Sequence, residues 1–142
     1  MLPDDAPRST EICPGCGAVL APADGGPAHP GASASCARLF EVTLRGLRED
    51  GGSHPVTATV VRLADAAYDA QHPMTGDDGR LRDALDRLGA PADVDVSRTP
   101  PAWRTTIADV AADLDVIDLP VLVESWARAV RADWTAAPVR PE

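Results

Sequence analysis

The sequence of 142 residues predicts a mainly α-helical fold: a small domain of four to five helices with an N-terminal loop that a metal ion organises. Apolar residues recur at helical spacing in several separate segments, whereas strictly alternating apolar stretches are few. The aromatic residues are three Trp, one Tyr and one Phe, so Ala, Val and Leu must supply most of the packing. That balance favours helices.

The chain length suits one domain with a modest core. Residues 1–12 are polar and lack periodicity, which predicts a flexible lead-in. We expect a single domain over residues 13–142. Within it, the loop that binds the metal covers residues 13–35, the helical body covers 36–137 and a short tail covers 138–142.

The first predicted helix begins near Cys36, where Ser33 or Ser35 can cap it, and glycines at positions 51 and 52 end it. Its apolar residues lie at helical spacing: Leu39, Phe40, Leu44 and Leu47. Cys36 lies in the first turn, where the helix dipole favours a thiolate.

The second helix is predicted from about Val56 to His72, with Pro73 beyond its end. Its apolar face comprises Val60, Leu63, Ala64, Ala67 and Tyr68. The third helix is stopped by Gly89 and carries Leu81, Ala84, Leu85 and Leu88.

Two more helices are predicted after a connecting loop at residues 90–102, which contains three prolines. Thr106 can cap a short helix, and Asp118 with Pro120 is a start signal for the last one. A stripe of large side chains on the last helix is expected in the core: Val123, Trp126, Val130 and Trp134.

The net charge of −9, with Arg as the basic residue besides three His, repels a polyanion, so nucleic acid is not an expected partner. The first residues, Met1 to Asp5, lack the basic start and apolar stretch of a secretion signal. Apolar runs stay well short of the roughly 20 residues that span a bilayer. We therefore expect a cytoplasmic protein without a membrane partner.

Three cysteines and one histidine lie between residues 13 and 36. Cys13 and Cys16 have the CxxC spacing that lets a tight turn aim two thiolates at one tetrahedral ion. His29 and Cys36 can complete a Cys3His set, which predicts a zinc site, although thiolates also accept iron. In the simpler alternative Cys36 is a small core residue, and only the CxxC pair matters.

The second helix carries Asp65, Tyr68, Asp69 and His72 at spacings of three, four and seven residues, which places them on one flank. The plain interpretation is a solvated flank. In the functional one, Asp65 and His72 are acid–base groups while Tyr68 and Gln71 bind a substrate. His72, just before Pro73, suits a C-cap, a metal ligand or a general base equally.

Four sequence elements resemble those of a family of small, mostly bacterial proteins that is defined only as a domain of unknown function. They are CPGCG at 13–17, GP-x-H at 26–29, GAS-x-x-C-x-x-LF at 31–40 and D-x-x-Y-x-x-QHP at 65–73. The resemblance implies that the Cys/His loop and the QHP helix act together as one unit.

Two hypotheses about function follow. In the first, Cys13, Cys16, His29 and Cys36 hold a closed structural zinc ion, and a groove beside the second helix binds a small molecule or a protein partner. In the second, an open zinc site activates water, with Asp65 or His72 as the base. A thiol-redox role ranks third, because the chain lacks the strand and helix alternation of a thioredoxin-like body.

Overall fold

The computed structural model describes residues 10–22, 29, 31–74 and 76–136. Within these ranges the fold is mainly helical, as predicted, with one small hairpin. The elements are β1 (Glu11–Ile12), β2 (Val19–Leu20), α1 (Ala34–Gly51), α2 (Pro55–Gln71), α3 (Asp78–Arg87), α4 (Ile107–Ala112) and α5 (Leu119–Thr135).

Helix α2 is the centre of the helical body and packs against α1, α3 and α5. Alanines occupy most of its buried positions, and their small side chains let the neighbouring helices approach closely: Ala64, Ala66, Ala67 and Ala70. Helix α4 fills the remaining side by packing on α1 and α5.

Helix α1 begins at Ala34, and its predicted cap is confirmed. The Ser33 hydroxyl accepts a hydrogen bond from the backbone N–H of Cys36 at 3.1 Å. Glu11 ties strand β1 to this end of the helix, because its carboxylate accepts hydrogen bonds from the Ser35 N–H and hydroxyl at 3.2 and 2.6 Å.

The last two helices also match the sequence signals. Thr106 and Asp109 form a capping box at the start of α4. Asp118 is the N-cap residue of α5, with Pro120 in the first turn. The predicted stripe on α5 is buried in the core: Val123, Trp126, Val130 and Trp134.

The lead-in prediction differs from the structure where strand β1 forms, since Glu11 and Ile12 pair with β2 in an antiparallel hairpin. Residues 1–9 of that lead-in, residues 23–28 and 30 of the predicted loop, and the tail at 138–142 lie outside the described residues. The division into one domain stays a prediction.

Among the helices described here, none is both long and apolar enough to cross a membrane.

Candidate metal centre

A tight turn between β1 and β2 carries the first two cysteines. The N–H of Cys13 donates to the carbonyl of Ala18 at 2.9 Å, and the N–H of Gly17 donates to the carbonyl of Cys13 at 3.0 Å. Gly17 has φ +79°, a left-handed backbone conformation that residues with a side chain rarely adopt. This turn holds Cys13 and Cys16 on one side of the hairpin, where both are buried.

The third cysteine comes from the first turn of α1. Cys36 is completely buried, and its Sγ atom lies 3.8 Å from Sγ of Cys16. Since Ser33 caps the helix just before it, the local sequence fixes the position of Cys36 relative to the helix axis.

The fourth group is His72, the C-cap residue of α2. Its Nε2 atom lies 3.5 Å from Sγ of Cys36. Its Nδ1 atom lies 2.6 Å from the backbone carbonyl of Tyr68, which can only accept, so Nδ1 carries the proton. The Nε2 lone pair of His72 is therefore free to bind a metal ion.

The four ligand atoms of Cys13, Cys16, Cys36 and His72 all lie within 4.8 Å of one another, and all four residues are buried. Zinc–sulfur bonds of about 2.3 Å and a zinc–nitrogen bond of about 2.0 Å in a tetrahedron separate two sulfurs by roughly 3.8 Å and sulfur from nitrogen by roughly 3.5 Å. The measured Cys16–Cys36 and Cys36–His72 separations equal these values. This Cys3His cluster could hold a metal ion.

Hydrogen bonds link the three thiols. Hydrogen bonds with Cys16 and then Cys36 lower the pKa of Cys13 well below its usual range. The hydrogen bond with Cys13 raises the pKa of Cys16 to about 11, and hydrogen bonds with Cys13 and Cys16 raise the pKa of Cys36 further. Three thiolates this close repel one another, and a divalent cation relieves that repulsion.

The structure places His29 outside this cluster, which is a correction to the predicted ligand set. Nε2 of His29 lies 3.1 Å from Oδ1 of Asp69, and its Nδ1 accepts the Gly31 N–H at 3.1 Å. Both ring nitrogens are engaged, and the histidine that lies with the three cysteines is His72. His29 instead contacts α2 through Asp69.

The two residues predicted to bind a substrate are buried. The Tyr68 hydroxyl donates to Sγ of Cys36 at 3.3 Å. Gln71 donates through Nε2 to the carbonyl of Thr105 at 2.6 Å and accepts at Oε1 from the indole of Trp126 at 3.1 Å. These contacts make Tyr68 a neighbour of the cysteine cluster and Gln71 a link from α2 to the α4–α5 side.

The acidic residues of the α2 flank lie at a separate open cleft of about 380 Å³. Arg48 donates two hydrogen bonds to Asp65, at 3.1 and 2.6 Å. Arg80 donates to Asp69 at 3.1 Å. Burial opposes ionisation of Asp69, but hydrogen bonds from His29 and Arg80 outweigh it and hold its pKa below the usual value.

Packing around His72 depends on Gly15 and Trp103, whose approach to it no sequence pattern predicts. A Cβ atom added to Gly15 would lie 2.5 Å from Cδ2 of His72, so only glycine fits there. Trp103 donates from its indole to the carbonyl of Gly15 at 2.9 Å. A lone Trp in a proline-rich loop carried no signal of this long-range contact.

The fold and the site define a helical protein with a buried Cys3His cluster, built by a hairpin turn, a helix start and a helix end. The chain belongs to the family described as "Family of unknown function (DUF5946)", whose model matches residues 11–97 and 79–135. This confirms the resemblance to a family without an assigned function. Comparisons with curated proteins and with solved structures found no match.

Proposed function

We propose that this chain is a zinc-binding protein in which Cys13, Cys16, Cys36 and His72 hold one structural ion. The observation that carries the proposal is the spacing of 3.8 Å between the sulfurs of Cys16 and Cys36 and of 3.5 Å from Sγ of Cys36 to Nε2 of His72, which suits tetrahedral zinc. Two more observations support the proposal. All four residues are buried, and Nδ1–H of His72 donates a hydrogen bond to the backbone carbonyl of Tyr68.

Zinc suits this donor set because it accepts thiolate and imidazole together and prefers four ligands. The three cysteines form no disulfide, and reduced thiols fit a cytoplasmic location. Three thiolates and Zn²⁺ leave one net negative charge in a buried site. The Tyr68 hydroxyl offsets part of this charge by donating a hydrogen bond to Sγ of Cys36.

A structural role follows from the number of ligands. Four protein groups fill the tetrahedron, so no position is left for a reactive water. The rival interpretation, an open-site zinc enzyme, needs His72 or Asp65 as a base. With His72 as a ligand and Asp65 paired to Arg48, the geometry favours the structural role.

The binding role in this proposal belongs to the cleft between α1, α2 and α3. Two ion pairs, Arg48–Asp65 and Arg80–Asp69, border it, and the rings of Phe40 and Tyr68 line it. Such a mixture of an apolar wall and a few polar groups is typical of small-molecule sites. We propose that a small molecule binds here, with a protein partner as the alternative occupant.

The zinc proposal is tested by stripping the purified protein with a chelator and restoring it with zinc or cobalt. We expect a lower melting temperature after stripping, full recovery with one equivalent of zinc, and the intense visible bands of tetrahedral thiolate–cobalt. A stripped protein that melts at the same temperature contradicts a structural ion. Weak cobalt bands of a five-coordinate site would favour the enzyme.

The cleft is tested separately by NMR titration of the zinc-loaded, ¹⁵N-labelled protein with a library of small polar aromatic fragments. We expect shifts confined to α1, α2 and α3 beside the cleft, and their loss in Arg80→Ala. A matched variant on the other side of α3, Arg82→Ala, should keep them. Shifts spread over the surface, or none, contradict a binding role for the cleft.

A further inference from the structure

Tyr68 touches two of the four proposed ligands with two different groups. Its hydroxyl donates to Sγ of Cys36 at 3.3 Å, and its backbone carbonyl accepts Nδ1–H of His72 at 2.6 Å. The residue is only 2% exposed. A single residue therefore joins the thiolate of α1 to the imidazole at the end of α2.

The backbone of α2 makes the carbonyl of Tyr68 available. In a continuing helix that carbonyl would accept the N–H of His72, four residues later. Here the N–H of His72 turns to the carbonyl of Asp69 at 3.1 Å, so the imidazole takes the place of the backbone donor. The spacing of four residues between Tyr68 and His72 is what permits this exchange.

Packing contacts hold the ring of Tyr68, in addition to the hydrogen bonds of its hydroxyl and its backbone carbonyl. The ring stacks on Phe40 with centroids 4.0 Å apart and planes within 3°, and two imidazoles also contact it, His72 at 4.0 Å and His29 edge-on at 5.2 Å. Because these contacts restrict rotation of the side chain, the hydroxyl stays directed at Cys36.

We infer that Tyr68 is a positioning residue of the metal centre, whose hydroxyl withdraws charge from the Cys36 thiolate and whose carbonyl sets the His72 tautomer. This inference rests on the proposed zinc site. A hydrogen bond to a bound thiolate offsets the net negative charge of a Cys3His zinc centre and makes that sulfur a poorer target for protons and electrophiles.

The test is Tyr68→Phe, which keeps the ring on Phe40 and His72 and removes only the hydroxyl. We expect zinc affinity to fall about tenfold, the lower end of what outer-sphere substitutions cost. In the cobalt protein, the sulfur-to-cobalt charge-transfer band should move to lower energy, because the unbonded thiolate lone pair lies higher. General destabilisation would not move that band.

Trp134→Phe is the matched control, since it removes a different buried hydrogen bond to α2, the indole N–H to the Ala70 carbonyl at 2.9 Å. Its cobalt band should stay at the parent energy. If Tyr68→Phe keeps the parent affinity and the parent band, the inference is overturned while the zinc proposal stands. A parent protein that binds neither zinc nor cobalt overturns both.

A measurement on the parent protein covers the case in which the variant fails to fold. Tyr68 is the single tyrosine in the chain, so its hydroxyl proton is unambiguous. In the ¹¹³Cd-substituted protein we expect a proton–cadmium correlation to that hydroxyl through Cys36. Correlations to cysteine β-protons without one to the hydroxyl would overturn the inference.

Discussion

Nε2 of His72 lies 3.5 Å from Sγ of Cys36, although 36 residues separate them in the chain. The contact joins the start of α1 to the end of α2. An indole from α5 contacts that end, since Trp126 donates to Oε1 of Gln71. The helical body thus positions His72 beside the cysteines, and an ion held by the cluster would tie the hairpin to the helices.

Replacing Gly15 with Ala should weaken zinc binding and lower the melting temperature. The added Cβ would lie 2.5 Å from the His72 ring and less than 3 Å from the carbonyls of Gly31 and Gln71. The turn must shift away from the imidazole, at a cost of about 1–3 kcal/mol. Zinc affinity and thermal unfolding measure the two effects.

Gly46→Ala is the control for that substitution. Gly46 lies inside α1, and an added Cβ meets nothing within 4 Å. Ala in a helix interior is more stable than Gly by about 1 kcal/mol, so this variant should melt at a higher temperature with unchanged zinc affinity. Equal behaviour of the two variants would contradict the close approach of Gly15 to His72.

Trp103→Phe should speed zinc release. The variant loses the hydrogen bond from the indole to the Gly15 carbonyl, which holds the cysteine turn against the loop at residues 99–103. Losing about 1 kcal/mol corresponds to roughly a fivefold change in rate. Transfer of zinc to a chromophoric chelator measures it, with Gly46→Ala, where an added Cβ meets nothing within 4 Å, expected to release zinc at the parent rate. Equal zinc-release rates for Trp103→Phe and the parent protein would contradict a role of this hydrogen bond in retaining zinc.

Two carboxylates of α2 should differ in their contribution to stability. Asp69 is 24% exposed and accepts hydrogen bonds from His29 and Arg80, so Asp69→Asn should cost about 1–2 kcal/mol. Asp65 and Arg48 are each more than a third exposed, and Asp65→Asn should cost no more than about 1 kcal/mol. Urea unfolding of the zinc-loaded variants compares them. A larger loss of unfolding free energy in Asp65→Asn than in Asp69→Asn would contradict this prediction.

The pKa of Asp69 predicts the pH range of its contribution. The folded pKa lies below the usual value near 3.9, so the stabilisation is complete above the unfolded pKa and is lost as pH falls through the folded pKa. The cost of Asp69→Asn should therefore be the same at pH 8 and pH 9, two values above the usual histidine range, which matters because His29 is a partner of Asp69. A cost that is lower at pH 8 than at pH 9 contradicts the assigned direction.

The helices were predictable because their signals are local. A cap residue and apolar side chains at helical spacing lie within one segment, as Thr106 does for α4 and Trp126 with Val130 does for α5. The start of α1 after Ser33 follows from the same kind of signal. Strand β1 was not predictable, because a strand of two residues shows no alternating pattern.

The metal cluster was only partly predictable. Spacing identifies Cys13 and Cys16 as a pair, and Cys36 follows from its place at a helix start. The choice between His29 and His72 depends on how α2 packs, which sequence spacing does not encode. His29 is nearer in sequence, yet its ring binds Asp69, while the end of α2 carries His72 to the cysteines.

The most direct test of the metal centre is elemental mass spectrometry on protein purified without added metal, for the parent, His72→Ala and His29→Ala. We expect one zinc per chain in the parent and in His29→Ala, and little or none in His72→Ala. A parent protein without metal, or zinc lost from His29→Ala and kept in His72→Ala, would contradict it.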